Sequence, residues 1–367
     1  MKKKGLIISS YPAPYRVGVF QGLAKEFDVE TYFDTCQNEN RNAAWFCKAD
    51  DFKFEILDNS EAKVKFRTAL KNIKSYDFVI AYDPARKPAI KAILVCIANG
   101  VPYFVNNDGA FIKPHLIKDA IKRILFSKVT ACFSSGKSAT QYFHYYGVPY
   151  NKIVEHKFTS LTREDIAERP LSFVERNEKR RELGISEKKT VISVGQFIPR
   201  KGFDILLQAW SQVSNTAQLI IIGGGDEKIK YEKMISELGI NNVLIMDFMP
   251  KSELFKYYQA SDLFVLPTRE DVWGLVINEA MAIGMPVIST NRCNAALELI
   301  ENNINGFIVK VGDSTELAAK INEVLNNSEL NVRMSNANIK KIRQYTLEEV
   351  SKSHIDTINK ELSRKYR

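Results

Sequence analysis

Short hydrophobic runs alternate with longer amphipathic segments in two successive series along the chain. The first series predicts strands at 5–9, 29–33, 53–57, 78–82, 102–106, 129–134 and 153–156. The second predicts them at 190–194, 218–222, 243–247, 263–266, 286–290 and 306–310. Strands that alternate with helices are typical of doubly wound parallel sheets. We therefore predict an α/β fold with two Rossmann-like domains.

A polar, highly charged stretch separates the two series. It runs from 159 to 189 and is broken by Pro170, so we place the domain connection there. The predicted domains are residues 1–165 and 166–345. The tail from Thr346 to Arg367 has helical periodicity through Val350, His354, Ile358 and Leu362.

The segment 263–291, LFVLPTREDVWGLVINEAMAIGMPVISTN, places two acidic residues around a helix start. Gly274 falls where a strand gives way to a helix that begins near Leu275, and the unpaired amides of such a start suit a phosphate or sugar oxygens. Asp271 and Glu279 bracket this start and would lie roughly 12 Å apart along a helix. Acids near a helix start also occur as simple capping residues, which is the alternative interpretation.

These residues resemble the acidic-x7-acidic signature of retaining family 4 glycosyltransferases, which have the two-domain GT-B fold. The resemblance continues through VGQFIPRKG at 194–202, IIIGGG at 220–225 and ENNINGFIV at 301–309. It implies that Glu279 binds the donor ribose and that the donor sugar is contacted by Asp271 or by the neighbouring Glu270, with the register favouring Asp271. It also implies two domains facing a central cleft and a last helix that crosses back to the N-terminal domain.

The VGQFIPRKG segment ends a predicted strand and presents cations. Arg200 and Lys201 are placed to meet a diphosphate, Arg with a fork of donors and Lys with a point charge. In the resembled family an Arg follows the first glycine, here Gly195, and a Lys precedes the second. This chain keeps Lys201 and has Gln196 at the Arg position, so either Arg200 substitutes or diphosphate binding is weaker. A solvated basic turn is the alternative.

Glycines also follow the predicted strand at 218–222. The run includes Gly224 and does not match GxGxxG, and the first strand ends in SSYPAP without a glycine finger. Both observations disfavour a nicotinamide dehydrogenase. We expect Gly224 near the base or ribose of the nucleotide, although a tight turn explains the run equally well.

The N-terminal half is expected to hold the acceptor. Tyr15 and Arg16 follow the first strand, at the edge where open α/β sheets bind ligands. Asp108 follows the strand near 102–106, at a place where the resembled family often has a histidine against the donor sugar. Asp108 could instead be a turn residue before Gly109. The role of His115, a few residues later, stays open.

Charge is concentrated in one stretch of the first half. The whole chain has a net charge of +9, and residues 61–128 contain thirteen Lys and Arg against five Asp and Glu. Within it, 113–128 places Ile117, Ile121, Ile124 and Leu125 at helical spacing among Lys118, Lys122 and Arg123. A helix on an anionic bilayer has this pattern, and so does a surface helix that packs its apolar stripe onto its own sheet. No nucleic-acid-binding motif is present.

Composition excludes several other classes. No stretch has the roughly eighteen apolar residues of a membrane span, and no secretory leader follows MKKK. The expected location is cytoplasmic, with peripheral binding to the inner face of the cell membrane as the extension that the basic segment suggests. Cys36, Cys47, Cys96, Cys132 and Cys293 are scattered, so reduced thiols are expected and neither disulfides nor a zinc site.

Taken together, the residues and the resemblance predict a metal-independent retaining glycosyltransferase. It would use a nucleotide-diphosphate sugar, with a UDP-sugar favoured, as a substrate rather than a cofactor. The acceptor would be a hydroxyl on a glycan, including a lipid-linked glycan of surface polysaccharide assembly. A sugar-nucleotide 2-epimerase of similar architecture and a non-catalytic membrane-binding scaffold are the two alternatives.

Overall fold

The computed structural model describes residues 2–36, 52–109, 111–214 and 216–365. The chain divides into two compact units, Met1–Thr159 with Thr346–Arg367, and Ser160–Tyr345. We call them unit 1 and unit 2. The division falls between residues 159 and 160, slightly before the limit between 165 and 166 that the sequence predicts.

Unit 1 is built on a parallel sheet with helices on both faces. The strands lie in the order β3-β2-β1-β4-β5-β6-β7. Their bounds are β1 Lys4–Ser9, β2 Asp28–Phe33, β3 Glu55–Ile56, β4 Phe78–Tyr82, β5 Tyr103–Asn107, β6 Ala131–Ser134 and β7 Ile153–Glu155. The helices are α1 Pro14–Glu26, α2 Ser60–Lys71, α3 Lys87–Asn99, α4 Leu116–Phe126, α5 Lys137–Tyr145 and, from the end of the chain, α14 Leu347–Lys365.

Unit 2 repeats this plan with a second parallel sheet, in the order β10-β9-β8-β11-β12-β13. The strands are β8 Lys189–Val194, β9 Ala217–Ile222, β10 Val243–Met246, β11 Leu263–Leu266, β12 Val287–Thr290 and β13 Gly306–Val309. The helices are α6 Phe173–Glu182, α7 Phe203–Trp210, α8 Lys228–Glu237, α9 Lys251–Gln259, α10 Leu275–Ala282, α11 Asn294–Leu299, α12 Ser314–Asn326 and α13 Ser328–Ile342. Among the described residues, every predicted strand overlaps an observed one, and the predicted pair of doubly wound α/β domains is confirmed.

The strand order reverses once in each sheet, between β1 and β4 in unit 1 and between β8 and β11 in unit 2. Open parallel sheets bind ligands at the carboxyl ends of the strands beside such a reversal, because the following loops diverge there. The loops after β1, β4, β8 and β11 are therefore the places to look for sites.

Helix α14 completes the core of unit 1. Val350, Ile358 and Leu362 are buried and join a cluster with Val17 and Phe20 of α1. His354, on the same stripe, is also fully buried. The apolar spacing read from the tail therefore corresponds to the buried face of this helix.

The division between the two units falls at the start of the segment 159–189 that the sequence predicts as the domain connection, and much of the rest of this segment is structured. Helix α6 lies within it and starts with a capping box in which Ser172 and Glu175 each accept from the other's backbone amide. The guanidinium of Arg180 is fully buried, pairs with Asp262 and donates to the carbonyl of Ala260 over 2.8 Å. No local signal in the sequence indicates this burial, because the partner of Arg180, Asp262, is distant along the chain.

Candidate functional site

Unit 2 contains a buried ion pair beside its strand reversal. The Nζ of Lys201 lies 2.5 Å from Oδ2 of Asp271, and the two residues are 9% and 6% exposed. Lys201 ends a 3-10 turn at Pro199–Lys201 after β8, and Asp271 follows β11. Burial by itself would raise the pKa of Asp271, but Lys201 and then Arg200 outweigh it and lower the pKa. The carboxylate is therefore ionised, and Lys201 is held beside it at the carboxyl edge of the sheet.

Arg200 lies beside this pair. Its guanidinium donates to the backbone carbonyl of Glu270 over 2.7 Å and lies 3.7 Å from Oδ1 of Asp271. The side chain of Glu270 instead pairs with Arg292 at 3.0 Å. Of the two acids that the sequence left as alternatives, Asp271 is thus the one that shares a cluster with Lys201 and Arg200.

Helix α10 begins directly at this cluster. Gly274 caps the helix with φ of 101°, a left-handed conformation that side chains rarely adopt, and Leu275 is the first helical residue. A Cβ on Gly274 would lie 2.8 Å from Sγ of Cys293, so any side chain here collides as well as straining the backbone. The tight turn brings the first amides of α10 and the positive end of its dipole next to Asp271. Such a helix start suits an anion or sugar oxygens.

Glu279 lies one turn further along α10 and is half-buried. Its Oε1 accepts from the hydroxyl of Ser160 over 3.1 Å, and its Oε2 accepts from the hydroxyl of Tyr258 over 3.2 Å. Burial raises the pKa of Glu279, while Lys251, Ser160 and Tyr258 act in the opposite direction. A carboxylate has about four acceptor positions, so one remains on each oxygen for a ligand.

The glycines after β8 and β9 lie against each other. The amide of Phe197 donates to the carbonyl of Gly224 over 2.8 Å, and the Cδ of Lys201 would be 3.5 Å from a Cβ on Gly195. Two residues of the run need to be glycine: a Cβ on Gly223 would lie only 1.8 Å from the carbonyl oxygen of Gly195, and a Cβ on Gly225, whose φ is 142°, would lie 2.7 Å from the carbonyl oxygen of Phe197. Gly224 has open space around its Cβ position. Gln196 is half-buried in the same loop.

Unit 1 has a different cluster at its own strand reversal. The buried guanidinium of Arg16 contacts Asp108 Oδ2 at 2.7 Å and Asp83 Oδ2 at 2.5 Å, and Tyr15 donates to Asp108 over 3.0 Å. Ser9 and Ser10 also accept from Arg16. Burial favours the neutral form of Asp83, but Arg16 lowers its pKa overall. The structure thus brings together the predicted residues Tyr15, Arg16 and Asp108, which form hydrogen bonds and an ion pair with one another.

A small cavity of about 10 Å³, room for about one water, lies beside this cluster. His156, His354 and Asn106 contribute to its lining. Both ring nitrogens of His156 are buried without a hydrogen-bond partner, and the ring of His354 lies 5.1 Å from that of His156. Burial lowers the pKa of His156 well below its usual value and that of His354 to about 4. Both rings are therefore neutral at pH 7.

His115 caps the N-terminus of α4. Its Nδ1 accepts from the amide of Lys118 at the start of α4, and its own amide donates to Asp119 over 2.9 Å. This is the reciprocal pattern of a helix cap.

The described cysteines are free thiols. Cys96, Cys132 and Cys293 are buried free thiols, Cys36 is half-buried, and Cys47 lies outside the described residues. In the described part of the chain, no group of three His, Cys, Asp or Glu side chains is placed to hold a metal ion. The same ranges contain no helix long and apolar enough to span a bilayer.

Several contacts in these clusters have no local signal in the sequence. Tyr258 and Ser160 contact Glu279 from other elements, and Arg292 contacts Glu270 although helix α10 and strand β12 separate the two residues along the chain. Asp83 was detectable, because it directly follows β4 at the same sheet edge as Tyr15 and Arg16. A search of the residues that follow the carboxyl end of every predicted strand would have found Asp83.

The fold and these clusters define a two-domain α/β protein of the GT-B type, and comparison with known proteins agrees. The family model described as Glycosyl transferases group 1 matches residues 175–341, which is most of unit 2. The matched residues make up a little less than half of the chain and lie within unit 2.

Curated relatives match part of the chain. An uncharacterized glycosyltransferase of Haemophilus influenzae is 30% identical over 168 residues, which is 45% of this chain and 47% of the relative. Spore coat protein SA of Bacillus subtilis is 33% identical over 171 residues, covering 43% of this chain and 45% of the relative. The chain thus spans about half the length of these relatives.

Solved structures agree over nearly the whole chain. The Anabaena protein HepE, solved in complex with UDP, matches with a TM-score of 0.78 at 17% identity, covering 98% of this chain and 100% of that one. WaaG, a glycosyltransferase involved in lipopolysaccharide biosynthesis, matches with a TM-score of 0.68 at 17% identity, covering 97% and 99%. At such identity the likeness establishes the fold.

Proposed function

We propose that the protein is a retaining glycosyltransferase that transfers a sugar from a nucleoside-diphosphate sugar, preferably a UDP-sugar, to a hydroxyl acceptor. The observation that carries this proposal is the Lys201–Asp271 pair, buried at the start of α10 beside the strand reversal of unit 2. The group 1 family match over the same unit supports it. HepE, which has the same fold, binds UDP.

Each proposed contact to the sugar donor uses a charged group or a hydrogen-bond acceptor that unit 2 already contains. Lys201 and Arg200, with the first amides of α10, would neutralise the diphosphate as it leaves. Asp271 would accept from hydroxyls of the transferred sugar, and Glu279 would accept from the ribose hydroxyls with its two remaining acceptor positions. Gly195, Gln196 and Gly224 would line the nucleotide, because they lie in the two loops that meet beside Lys201.

In the proposed reaction, the bond between the anomeric carbon and the phosphate oxygen breaks as a bond from that carbon to the acceptor oxygen forms on the same face. The acceptor's proton passes to the departing phosphate oxygen. The step therefore requires positive charge around the diphosphate and no bound metal in this scheme. Tyr15, Arg16 and Asp108 are proposed to serve the acceptor side.

The direct test is to incubate the protein with UDP-sugars, with and without a hydroxyl acceptor. Glycosylated acceptor with an unchanged anomeric configuration supports the proposal. A sugar isomerised at C2 in the absence of acceptor would instead show the epimerase alternative. A thermal-shift screen of nucleoside diphosphates and their sugars identifies the base, since ligand binding raises the melting temperature.

The surface of α4 supports a second proposal, that the acceptor is reached at an anionic membrane. Leu116, Ile117 and Ile124 are 91%, 70% and 57% exposed, and Ile121 is 44% exposed. Of the predicted apolar stripe only Leu125 is buried, so most of the stripe is not packed on its own sheet. Exposed isoleucines beside cations match what an anionic bilayer surface binds.

Two of the predicted cations fit this role better than the third. Lys118 and Arg123 are exposed, whereas Lys122 donates to the hydroxyl of Tyr146 over 3.0 Å and lies over two tyrosine rings. We expect exchange of both Lys118 and Arg123 for Gln to reduce sedimentation with anionic liposomes, since each cation contributes about 1 kcal/mol near such a surface.

Exchange of the exposed Lys233 and Lys256 of unit 2 for Gln removes the same charge and serves as the matched control. Binding should rise with the fraction of anionic lipid and fall with added salt. Binding that ignores lipid charge and salt, or that both double variants reduce equally, contradicts the proposal.

A further inference from the structure

Two hydroxyl groups hold the carboxylate of Glu279 in one orientation. Tyr258 donates to Oε2 from the end of α9, and Ser160 donates to Oε1 from the first residue of unit 2. Because the donors approach opposite oxygens, rotation of the carboxylate about its terminal bond would break both hydrogen bonds. The plane of the carboxylate is therefore fixed before any ligand arrives.

Both donors are themselves rigid. Tyr258 is fully buried, and its ring packs edge-on against Phe255 and Phe264 at centroid distances of 5.6 and 6.0 Å. Burial first, and then the nearby Glu279, raise the pKa of Tyr258 well above its usual value, so its hydroxyl stays protonated and available to donate. The carbonyl of Ser160 accepts from Nζ of Lys251 over 3.4 Å, and that Nζ also pairs with Asp165 at 2.7 Å.

The remaining acceptor positions suit a pair of neighbouring hydroxyls. Each oxygen of Glu279 has one of its two acceptor positions filled by the protein and one left. A vicinal diol presents two donors at about the spacing of two carboxylate oxygens. A carboxylate that rotates freely would have to lose that freedom on binding, which costs affinity.

We propose that Tyr258, together with Ser160, is a positioning residue that orients the ionised carboxylate of Glu279 toward the vicinal hydroxyls of a nucleotide's ribose. This inference rests on the proposed function of unit 2. Tyr258 does not touch the ligand. It acts through Glu279, and its effect is specific to the ionised form, because a hydroxyl donates more strongly to a carboxylate than to a carboxylic acid.

A pH profile separates this role from a merely structural one. Besides Tyr258 and Ser160, the titratable groups facing Glu279 are Lys251 of α9 and Asp165. Burial raises the pKa of Glu279, and ribose binding needs the ionised form, so UDP affinity should fall as the pH is lowered through that pKa. Loss of the tyrosine hydroxyl removes a donor to the ionised form and raises the pKa further.

The experiment is titration of UDP into the 367-residue chain from pH 8 to pH 5, for the wild type, Tyr258→Phe and Ser160→Ala. We expect the fall in affinity of each variant to begin about one pH unit higher than in the wild type, equivalent to about a tenfold change in the protonation equilibrium. The matched control is Tyr231→Phe. Tyr231 is a fully buried tyrosine of the same unit whose hydroxyl has no hydrogen-bond partner, so its profile should match the wild type.

Each outcome bears on a different claim. A Tyr258→Phe profile that overlays the wild type, or an affinity lowered equally at every pH, overturns the positioning role and leaves the proposed function standing. Absence of UDP binding by the wild type at all pH values overturns the proposed UDP-sugar donor. A shift in Tyr258→Phe and Ser160→Ala but not in Tyr231→Phe is the result the inference requires.

Discussion

The strand reversals of the two units hold opposite kinds of charge cluster. In unit 1, the guanidinium of Arg16 is enclosed by Asp83 and Asp108, so the cation is outnumbered and nearly all its donors are used. In unit 2, a single carboxylate, Asp271, is matched by Lys201 with Arg200 alongside, next to a helix start. The same sheet order thus produces a cluster with an excess of carboxylates in one unit and a cluster with an excess of cations in the other.

The difference explains why a diphosphate is assigned to unit 2. An anion arriving at the unit 2 cluster gains from two cations and from the amides of α10, whereas two carboxylates at the unit 1 cluster repel it. The family match, which covers residues 175–341, falls on the cation-rich unit. This contrast is why the proposed acceptor site is assigned to the hydroxyl and aromatic groups of unit 1.

The largest expected effect is on the stability of unit 1. Exchange of Arg16 for Met leaves Asp83 and Asp108 without their cation, and breaking a buried pair in this way costs about 3 kcal/mol, the lower end of the usual range because Asp83 is 32% exposed. Denaturant unfolding measures the loss. The triple exchange of Arg16→Met, Asp83→Asn and Asp108→Asn removes every charge of the cluster and should recover most of the lost unfolding free energy. Equal destabilisation of the single and the triple variant would contradict this account of the cluster.

Exchange of Lys201 for Ala should lower sugar transfer by about 10²-fold, because one charge that stabilises the leaving group is lost. Arg200→Ala should have a smaller effect, since its guanidinium is 41% exposed. Initial rates with a UDP-sugar measure both.

Misfolding is separated from lost catalysis by a charge-balanced variant. Lys201→Met combined with Asp271→Asn leaves no unpaired buried charge, so it should melt closer to the wild type than Lys201→Ala does and still be inactive. Wild-type turnover in Lys201→Ala and Arg200→Ala would show that this loop does not meet the diphosphate.

Glu279→Ala should weaken nucleotide binding by about 1.5–3 kcal/mol, the scale of hydrogen bonds to a charged group. The exchange lies in unit 2 and should leave the unit 1 cluster unaltered, so unfolding curves provide the control. Calorimetry with UDP that gives the wild-type affinity would remove Glu279 from the site.

The smallest expected effect concerns pH and unit 1. His354 titrates at about 4 in the folded chain against an ordinary value of about 6.5, so the unfolded chain binds more protons between these values. Stability is therefore full above pH 7 and falls as the pH drops, by roughly 2 kcal/mol for this residue between pH 7 and pH 5. His354→Gln should flatten the dependence of unfolding free energy on pH in that window, and an unchanged slope would contradict the burial argument.

Sequence reasoning succeeded where the signal is local. The strands, the helix start at Gly274 and the cations beside Gly195 depend on runs of neighbouring residues, and the structure places them as predicted. It failed where a partner is distant along the chain. The burial of Arg180 against Asp262 was not predicted, because the two residues are far apart along the chain. The contact of Glu279 with Tyr258 was not predicted either, because these residues lie on different helices.

A second failure concerns packing rather than distance. Sequence analysis singled out Gly224 among the three glycines at 223–225, whereas the backbone geometry shows that Gly223 and Gly225 lie against backbone atoms of Gly195 and Phe197 and that Gly224 has free space. Likewise, the spacing of Ile117, Ile121 and Ile124 predicts a helix but cannot tell a buried stripe from an exposed one. Whether such a stripe is exposed depends on which other parts of the chain pack against it.

The measurement that tests the central claim most directly is titration calorimetry of UDP with the wild type, Lys201→Ala and the matched Lys320→Ala. Lys320 lies on the surface of unit 2 and pairs with Glu323, away from the strand reversal. The account predicts saturable binding by the wild type and Lys320→Ala, and at least about tenfold weaker binding by Lys201→Ala, in keeping with one lost charged contact. Equal affinity of Lys201→Ala and Lys320→Ala for UDP would contradict the assignment of the diphosphate to the Lys201–Asp271 cluster.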